Sequence, residues 1–409
     1  MNTAAMLARG SSVDRLSVFV AGGIMSGFGA LMYEVASQFT YMLGQTYGFG
    51  EANQGDFTAA FFTSYTLIAV SMVFWVRKIS WRLLATTASA LGVVSFLALT
   101  LAHTYATIMA AMFLAGLGMG ANYALTLTLF GDSKNPDRAF GIKFFCDVMP
   151  GMAMNFLLPM IFAAGGFDAV AFAMSACCAI SLLAALLIPA RTDRQVDHVS
   201  NPLRSKGAGL PLLACLVCLI NTTGIMALWA FLGQIGEEKG LSLSTLGVVL
   251  SLGSMLNGAG SLVGVAMGNK FGRLLPITVT LAISTASLVV IAMTASPNAY
   301  VVAALTFCLV NNLTSLYIIA TVAAVDKKGL FLPFASACFS AGAVIGPPLA
   351  GRLLETSGLS IMLLLPAAMW GCALALLVLL HRLHNGQPAA SAPTPTHAVD
   401  GPNPQELHP

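Results

Sequence analysis

The chain has 409 residues, of which 57% are hydrophobic and only 9% charged, with a formal net charge of +3 and a mean hydropathy of +0.83. So few charges cannot cover the surface of a soluble protein of this length, and the apolar residues come in blocks of the ~20 residues that cross a ~30 Å hydrocarbon core. Alternating apolar and polar strands are absent, which excludes a membrane β-barrel, and nothing in the composition points to a nucleic-acid partner.

The predicted fold is all-α and polytopic, with twelve spans at residues 16–43, 56–76, 83–102, 106–130, 144–164, 167–189, 210–233, 242–267, 276–295, 299–324, 330–351 and 358–381. The first follows MNTAAMLARGSSVDR, is too long for a signal-peptide core and is read as a retained membrane helix. Within it Glu34 is the one charged residue between Leu16 and Leu43. A carboxylate at mid-helix costs at least ~2.5 kcal/mol in a bilayer and is expected to face a cavity. At helical steps from Glu34 stand Gly23, Gly27, Ala30, Ser37, Gln38 and Tyr41, all small or polar. Phe28, Leu31, Met32, Val35, Phe39 and Met42 form the opposite stripe, which is suited to lipid. Withdrawal from water favours the neutral form of a carboxyl group, so Glu34 is a candidate proton-coupling site; helix glue bonded to Gln38 and Tyr33 is the bland alternative.

RKISWR separates spans 2 and 3 and supplies Arg77, Lys78 and Arg82, either as topology determinants or as partners for acids and helix C-termini. Span 4 adds Asn122 and Tyr123, with Gly116, Gly118 and Gly120 read as packing positions. Asp147 lies early in span 5 as a second proton-coupling candidate, four residues after Lys143, with which an interfacial pair is the simpler reading. Asn155 lies two turns deeper on the same face. Residues 190–209 are polar and divide the chain. Span 7 carries Cys215 and Cys218, read as buried small hydrophobes and not as a metal or redox site, together with Asn221, Thr222, Thr223 and Trp229. Asn257 follows in span 8, Asn311 and Asn312 in span 10. With Tyr33, Gln38, Asn122, Tyr123 and Asn155, the polar residues Asn221, Thr222, Trp229, Asn257, Asn311 and Asn312 are the candidate substrate contacts, each equally able to serve as inter-helix glue. The tail 385–409 is Pro-rich, of low complexity, and expected to be disordered.

With the N-terminus on the cytoplasmic side, seventeen Lys and Arg fall on that side and two, Lys239 and Arg352, on the other. This asymmetry predicts cytoplasmic termini and supports the span count. The expected setting is the cytoplasmic (inner) membrane of a bacterium. Gly48 and Gly55 recur as Gly240 and Gly247, an offset of 192 residues from Gly48 to Gly240 that keeps spans and loops in register across six helices. Six is even, so the repeat is parallel, about an axis along the membrane normal. The expected domains are 1–189 and 210–384, each a six-helix bundle, with 190–209 as central loop and 385–409 as tail.

On these features the chain resembles the major facilitator superfamily. GNKFGR at 268–273 is similar to the family's inner-loop motif, with Asn269 where an Asp is usual, followed by Lys270, Gly272 and Arg273; RKISWR occupies the equivalent first-half place but lacks the Gly and Asp. GAVIGPPLAG at 342–351 resembles the family's helix-11 pattern through Gly342, Gly346, Pro347 and Gly351. The resemblance implies twelve helices in two pseudo-symmetric bundles that rock around a midplane site, and inner-loop charges that latch the halves.

No Lys or Arg stands deep in a predicted span, which argues against phosphate or nitrate as substrate. The expected partner is a small organic solute with aromatic or amphipathic character, together with protons and the lipid bilayer, and the protein is expected to act as a monomer. No catalytic cluster or Walker A sequence occurs, so no enzyme activity and no cofactor are expected, and a proton gradient is the energy source. Helix 5 has Met154-Asn155 where family exporters carry Gly-Pro, which favours proton-coupled uptake. Proton-antiport efflux, or a transporter-like receptor, are the alternatives.

Overall fold

A computed structural model describes residues 12–133, 136–191, 209–268, 270–326 and 331–385. Most of the expected central loop, the tail beyond 385 and Asn269 lie outside the described residues. After a 3-10 turn at Ser12–Asp14, the helices are α1 (Leu16–Tyr47), α2 (Glu51–Trp75), α3 (Trp81–Leu99), α4 (Tyr105–Gly131), α5 (Pro136–Ala185), α6 (Gly209–Trp229), α7 (Leu232–Glu238), α8 (Leu243–Met267), α9 (Leu274–Met293), α10 (Pro297–Val325), α11 (Leu332–Ser357) and α12 (Leu359–Asn385). Local chemistry sets several boundaries. Ser80, Ser242 and Ser296 cap α3, α8 and α10 by accepting from a backbone N–H three residues on, and Thr104 with Thr107 forms a capping box at α4.

α5 is two rods. Gly165 and Gly166 leave helical geometry, Gly166 at φ 66°, and the chain doubles back there. Cys146 packs on Gly23 near the start of α1, while Arg82 Nε, at the start of α3, donates to the Ile188 carbonyl, so both limbs end on the same side. The expected break between spans 5 and 6 falls at these glycines. Among the described residues, ten helices are long and apolar enough to span a membrane, the doubled α5 counting once. α2 is 25 residues long, with Glu51, Asn53, Gln54 and Asp56 gathered in its first turns and an apolar run after them.

Three sequence expectations need correction. The break expected between predicted spans 16–43 and 56–76 is confined to the turn around Gly48, because the polar residues after Gly50 are already helical. Predicted span 5 starts earlier, at Pro136, so Lys143 lies inside the helix. Predicted span 7 is interrupted at Ala230 and Phe231, between α6 and α7. The stripe of α1 assigned to lipid is also covered: Leu31, Met32, Val35, Phe39 and Met42 are each at most 1% exposed. They pack into one core with Phe57, Phe61, Phe96 and Met112 from α2, α3 and α4. α1 is an inner helix of its bundle, and both its faces meet protein.

The two bundles repeat each other at the offset of 192. A Cβ on Gly55 would lie 2.5 Å from the Pro347 carbonyl oxygen, and one on Gly247 would lie 2.8 Å from that of Asn155. Each contact is the other shifted by 192 residues, with the halves exchanged. Within the halves, Gly116 against Phe61 matches Cys308 against Gly253, and Gly120 against Tyr65 matches the Asn312–Asn257 bond.

One end of the molecule is basic, with Arg77, Lys78, Arg82, Lys270 and Arg273. The opposite, acidic end carries Glu51, Asp56, Glu237, Glu238 and Glu355. Between described residues, the hydrogen bonds that join the halves run from the level of Glu34 to the acidic end. At that end Glu355 accepts from Ala52 N at 3.0 Å, Gln234 donates to Glu51 at 2.9 Å, Arg352 pairs with Asp56 at 2.9 Å, and Gly233 N donates to Ser37 Oγ at 3.0 Å. The acidic end is closed.

Candidate functional site

Glu34 lies near the middle of α1, half-buried at the seam between the bundles. Ser254 Oγ on α8, from the other half, donates to its Oε2 at 2.5 Å. Asn155 Nδ2 on α5 reaches both the Glu34 carbonyl oxygen and Ser254 Oγ, each at 3.2 Å. Gln38 Nε2, one turn along α1, donates to the Asn155 carbonyl at 3.3 Å. Gly151 makes room for the acid, since a Cβ there would lie 2.3 Å from Glu34 Cγ. Three helices from two halves therefore meet around one carboxylate. The position 192 residues on is Met226, also half-buried, so the charge belongs to one bundle alone.

Tyr33, the residue before Glu34 on α1, belongs to an aromatic wall. Tyr33 OH donates to Ser340 Oγ on α11 at 3.1 Å, across the seam. Its ring centre is 4.5 Å from Phe62, 5.5 Å from Tyr65 and 6.5 Å from Phe339. Tyr65 in turn lies 5.9 Å from Tyr123, and its buried hydroxyl has no hydrogen-bond partner.

Asp147 forms a separate cluster inside the first bundle. Lys143 Nζ donates to it at 2.7 Å, Tyr123 OH donates at 3.4 Å, and Ser26 Oγ completes the group from α1. Lys143 is 0% exposed and its ammonium sits 3.7 Å from the Tyr123 ring centre. This lysine is withdrawn from solvent by protein. The early start of α5 carries Lys143 two turns into the helix, where Asp147 and the Tyr123 face offset its charge. The expected Lys143–Asp147 pair exists, and it is buried in protein.

The other candidates separate into seam and scaffold. Asn122 donates to Ser89 at 2.9 Å and ties α4 to α3. Thr222 donates back to the Cys218 carbonyl and packs against Gly342. Trp229, expected on a cavity wall, is 4% exposed in the core of the second bundle, its indole N–H without a partner. Asn312 donates to the Asn257 carbonyl at 3.0 Å. The side-chain oxygens of Asn221, Asn257 and Asn311 are buried without a partner.

Of the inner-loop residues, Arg77 makes two 2.9 Å bonds to Asp132 at the C-terminus of α4, and Arg82 caps the second limb of α5 through Ile188. Both join elements of the first bundle and not the two halves. Lys78 and Lys270 are exposed, Arg273 is half-buried beside His381, and Gly272 adopts φ 66°. In α11, Gly342 and Gly346 face α6, whereas Pro347 and Gly351 press on α2 across the seam, at Gly55 and at the Glu51 carbonyl. Residue reasoning missed Ser254, Gly151 and Ser340. The i, i+3 series Ser251, Ser254, Asn257 on α8 was a readable signal for the first; the other two left none.

The sequence profile of the Major Facilitator Superfamily matches residues 15–325 and again 214–404. The chain belongs to the major facilitator superfamily. The overlap of the two matched ranges accords with the internal repeat. Among solved structures, a point mutant of the nucleoside transporter NupG is similar over 89% of this chain and 99% of its own at 10% identity, TM-score 0.71. A bacterial homologue of the human lysosomal transporter Spinster, in an inward-facing and occupied conformation, is similar over 91% of this chain and 98% of its own at 14% identity, TM-score 0.68. These likenesses concern the fold. Among curated proteins none matches the sequence significantly. As a superfamily member the chain is an integral, multi-pass membrane transporter of a small molecule.

Proposed function

We propose that this transporter takes up a small aromatic or amphipathic solute together with protons, and that Glu34 is the proton site. The observation that carries this reading is the position of Glu34 at the seam, bonded to Ser254 of the opposite bundle. An ionised carboxylate withdrawn from water is costly, whereas its protonated form is not. Loading a proton therefore favours the closed acidic end seen here, and losing it favours a seam that opens to water. If the basic end is cytoplasmic, the empty, ionised protein waits open to the outside. Proton and solute close that end, and both leave on the inside. Tyr33, Phe62 and Phe339 supply a wall for an aromatic ring, and Gln38 and Asn155 supply amides around Glu34. A nucleoside, with a flat base and hydroxyls, suits that chemistry and is the first probe.

Proteoliposomes with an acidic exterior are offered labelled uridine and a panel of aromatic solutes. Accumulation is expected to rise with the gradient and collapse with a protonophore. Glu34→Gln is expected to keep solute exchange and lose accumulation. Undiminished gradient-driven accumulation by the variant would remove Glu34 from the mechanism.

A further inference from the structure

A cleft of about 500 Å³ opens at the acidic end where α2, α4 and α11 meet, away from Glu34. Its mouth is polar. Arg352 Nη2 reaches Asp56 at 2.9 Å and Nη1 reaches the Pro348 carbonyl at 3.2 Å, while Tyr105 OH donates to Asp56 at 3.2 Å. Below the mouth, Ala59, Ala60, Thr63, Met109, Ala110 and Phe113 form a trough with little polar character. On α2 the trough covers the eight residues from Asp56 to Thr63, ~10 Å of helix.

The trough continues into faces that are apolar and exposed. Leu67, Val70 and Phe74 carry on along α2, Leu114 along α4, and Ile345 and Leu349 approach Arg352 along α11, all between 42% and 73% exposed. In a membrane protein such faces meet acyl chains. The cleft thus leads from the lipid-facing surface to a pair of opposite charges at the level where headgroups lie.

We propose that this cleft binds a phospholipid with a zwitterionic, primary-amine headgroup, one acyl chain lying in the trough. The Arg352 side chain is 55% exposed, and a guanidinium has five N–H donors, so it can hold Asp56 and a phosphate oxygen together. Asp56 accepts from Arg352 and Tyr105 and retains acceptor capacity for an ammonium. The mouth carries one charge of each sign, as does such a headgroup. A net-anionic lipid meets Glu51 and Glu355 at the same end. A quaternary amine has no N–H to donate to Asp56. Because Asp56 and Arg352 come from different bundles, the site exists only while the acidic end is closed.

The test is native mass spectrometry of the full chain in detergent with an equal mixture of phosphatidylethanolamine, phosphatidylcholine and phosphatidylglycerol. Phosphatidylethanolamine is expected to be retained over the other two by about tenfold, the effect of one charge-assisted hydrogen bond. Ala110→Phe, which fills the trough without touching the charges, is expected to remove that excess, and Asp56→Leu, which removes the acceptor for the ammonium, to level phosphatidylethanolamine with phosphatidylcholine. Equal retention of the three headgroups by the unmodified chain overturns the proposal, whatever the variants do. So does an excess that survives both substitutions.

Discussion

Gly151→Ala tests the packing around Glu34 at a single atom. The added Cβ would lie 2.3 Å from Glu34 Cγ and 2.4 Å from Glu34 Cβ, where carbon atoms at rest keep ~3.5–4.0 Å. Gly258, on α8, is the control, since its nearest neighbour to an added Cβ is Val148 Cγ1 at 4.0 Å. Both glycines are interior helical positions, so both substitutions gain the same ~1 kcal/mol of helix propensity. The difference between them isolates the clash, which at overpacked sites is ~1–3 kcal/mol. Five buried cysteines, Cys177, Cys178, Cys215, Cys218 and Cys308, serve as reporters for a thiol-reactive dye during thermal unfolding in detergent. Gly258→Ala should match or exceed the unmodified protein, and Gly151→Ala should unfold at lower temperature. Adding Glu34→Gly to Gly151→Ala should restore stability, whereas Glu34→Ala should not, because its Cβ remains in the way. If both alanine variants unfold at the same temperature, Glu34 does not occupy the space assigned to it.

Asp147→Asn should destabilise the protein by ~3–5 kcal/mol, because it leaves the fully buried Lys143 without its carboxylate. Lys143→Met added to it should recover most of that loss in the same unfolding assay, and a failure to recover would mark the pair as more than a packed ion pair. A double-mutant cycle on Asp56 and Arg352 should give a coupling of ~0.2–1 kcal/mol, as expected for a solvent-accessible pair. Its dependence on salt checks that the pair is screened; a larger, salt-independent coupling would contradict the exposed geometry.

The fold was legible because its signals are collective. Ten apolar helices, the charge asymmetry of their ends and the 192-residue offset all survive single-residue errors. Gly48 and Gly240, chosen from loops, both adopt positive φ, and Gly55 and Gly247 both sit at the seam. The site was legible only where a residue breaks its surroundings, as Glu34 does. Its partners Ser254, Ser340 and Gly151 are ordinary residues for membrane helices, and only tertiary placement distinguishes them. The lipid assignment for the second stripe of α1 failed for a related reason: periodicity shows that a helix has two faces, but not whether another helix covers the apolar one. The burial of Lys143 was missed through a helix boundary, since a helix that starts two turns early packs a charge expected at its end against its neighbours.

Spin-label distances across the acidic end measure the central claim without a substrate. Labels at exposed Thr46 and Asn298, in a background without native cysteines, report the separation of the two bundles. The closed form is expected to gain population on acidification, as the form that holds its proton more tightly must, and Glu34→Gln is expected to show the same closed fraction at every pH. A Glu34→Gln protein that opens and closes with pH as the unmodified protein does would contradict the account.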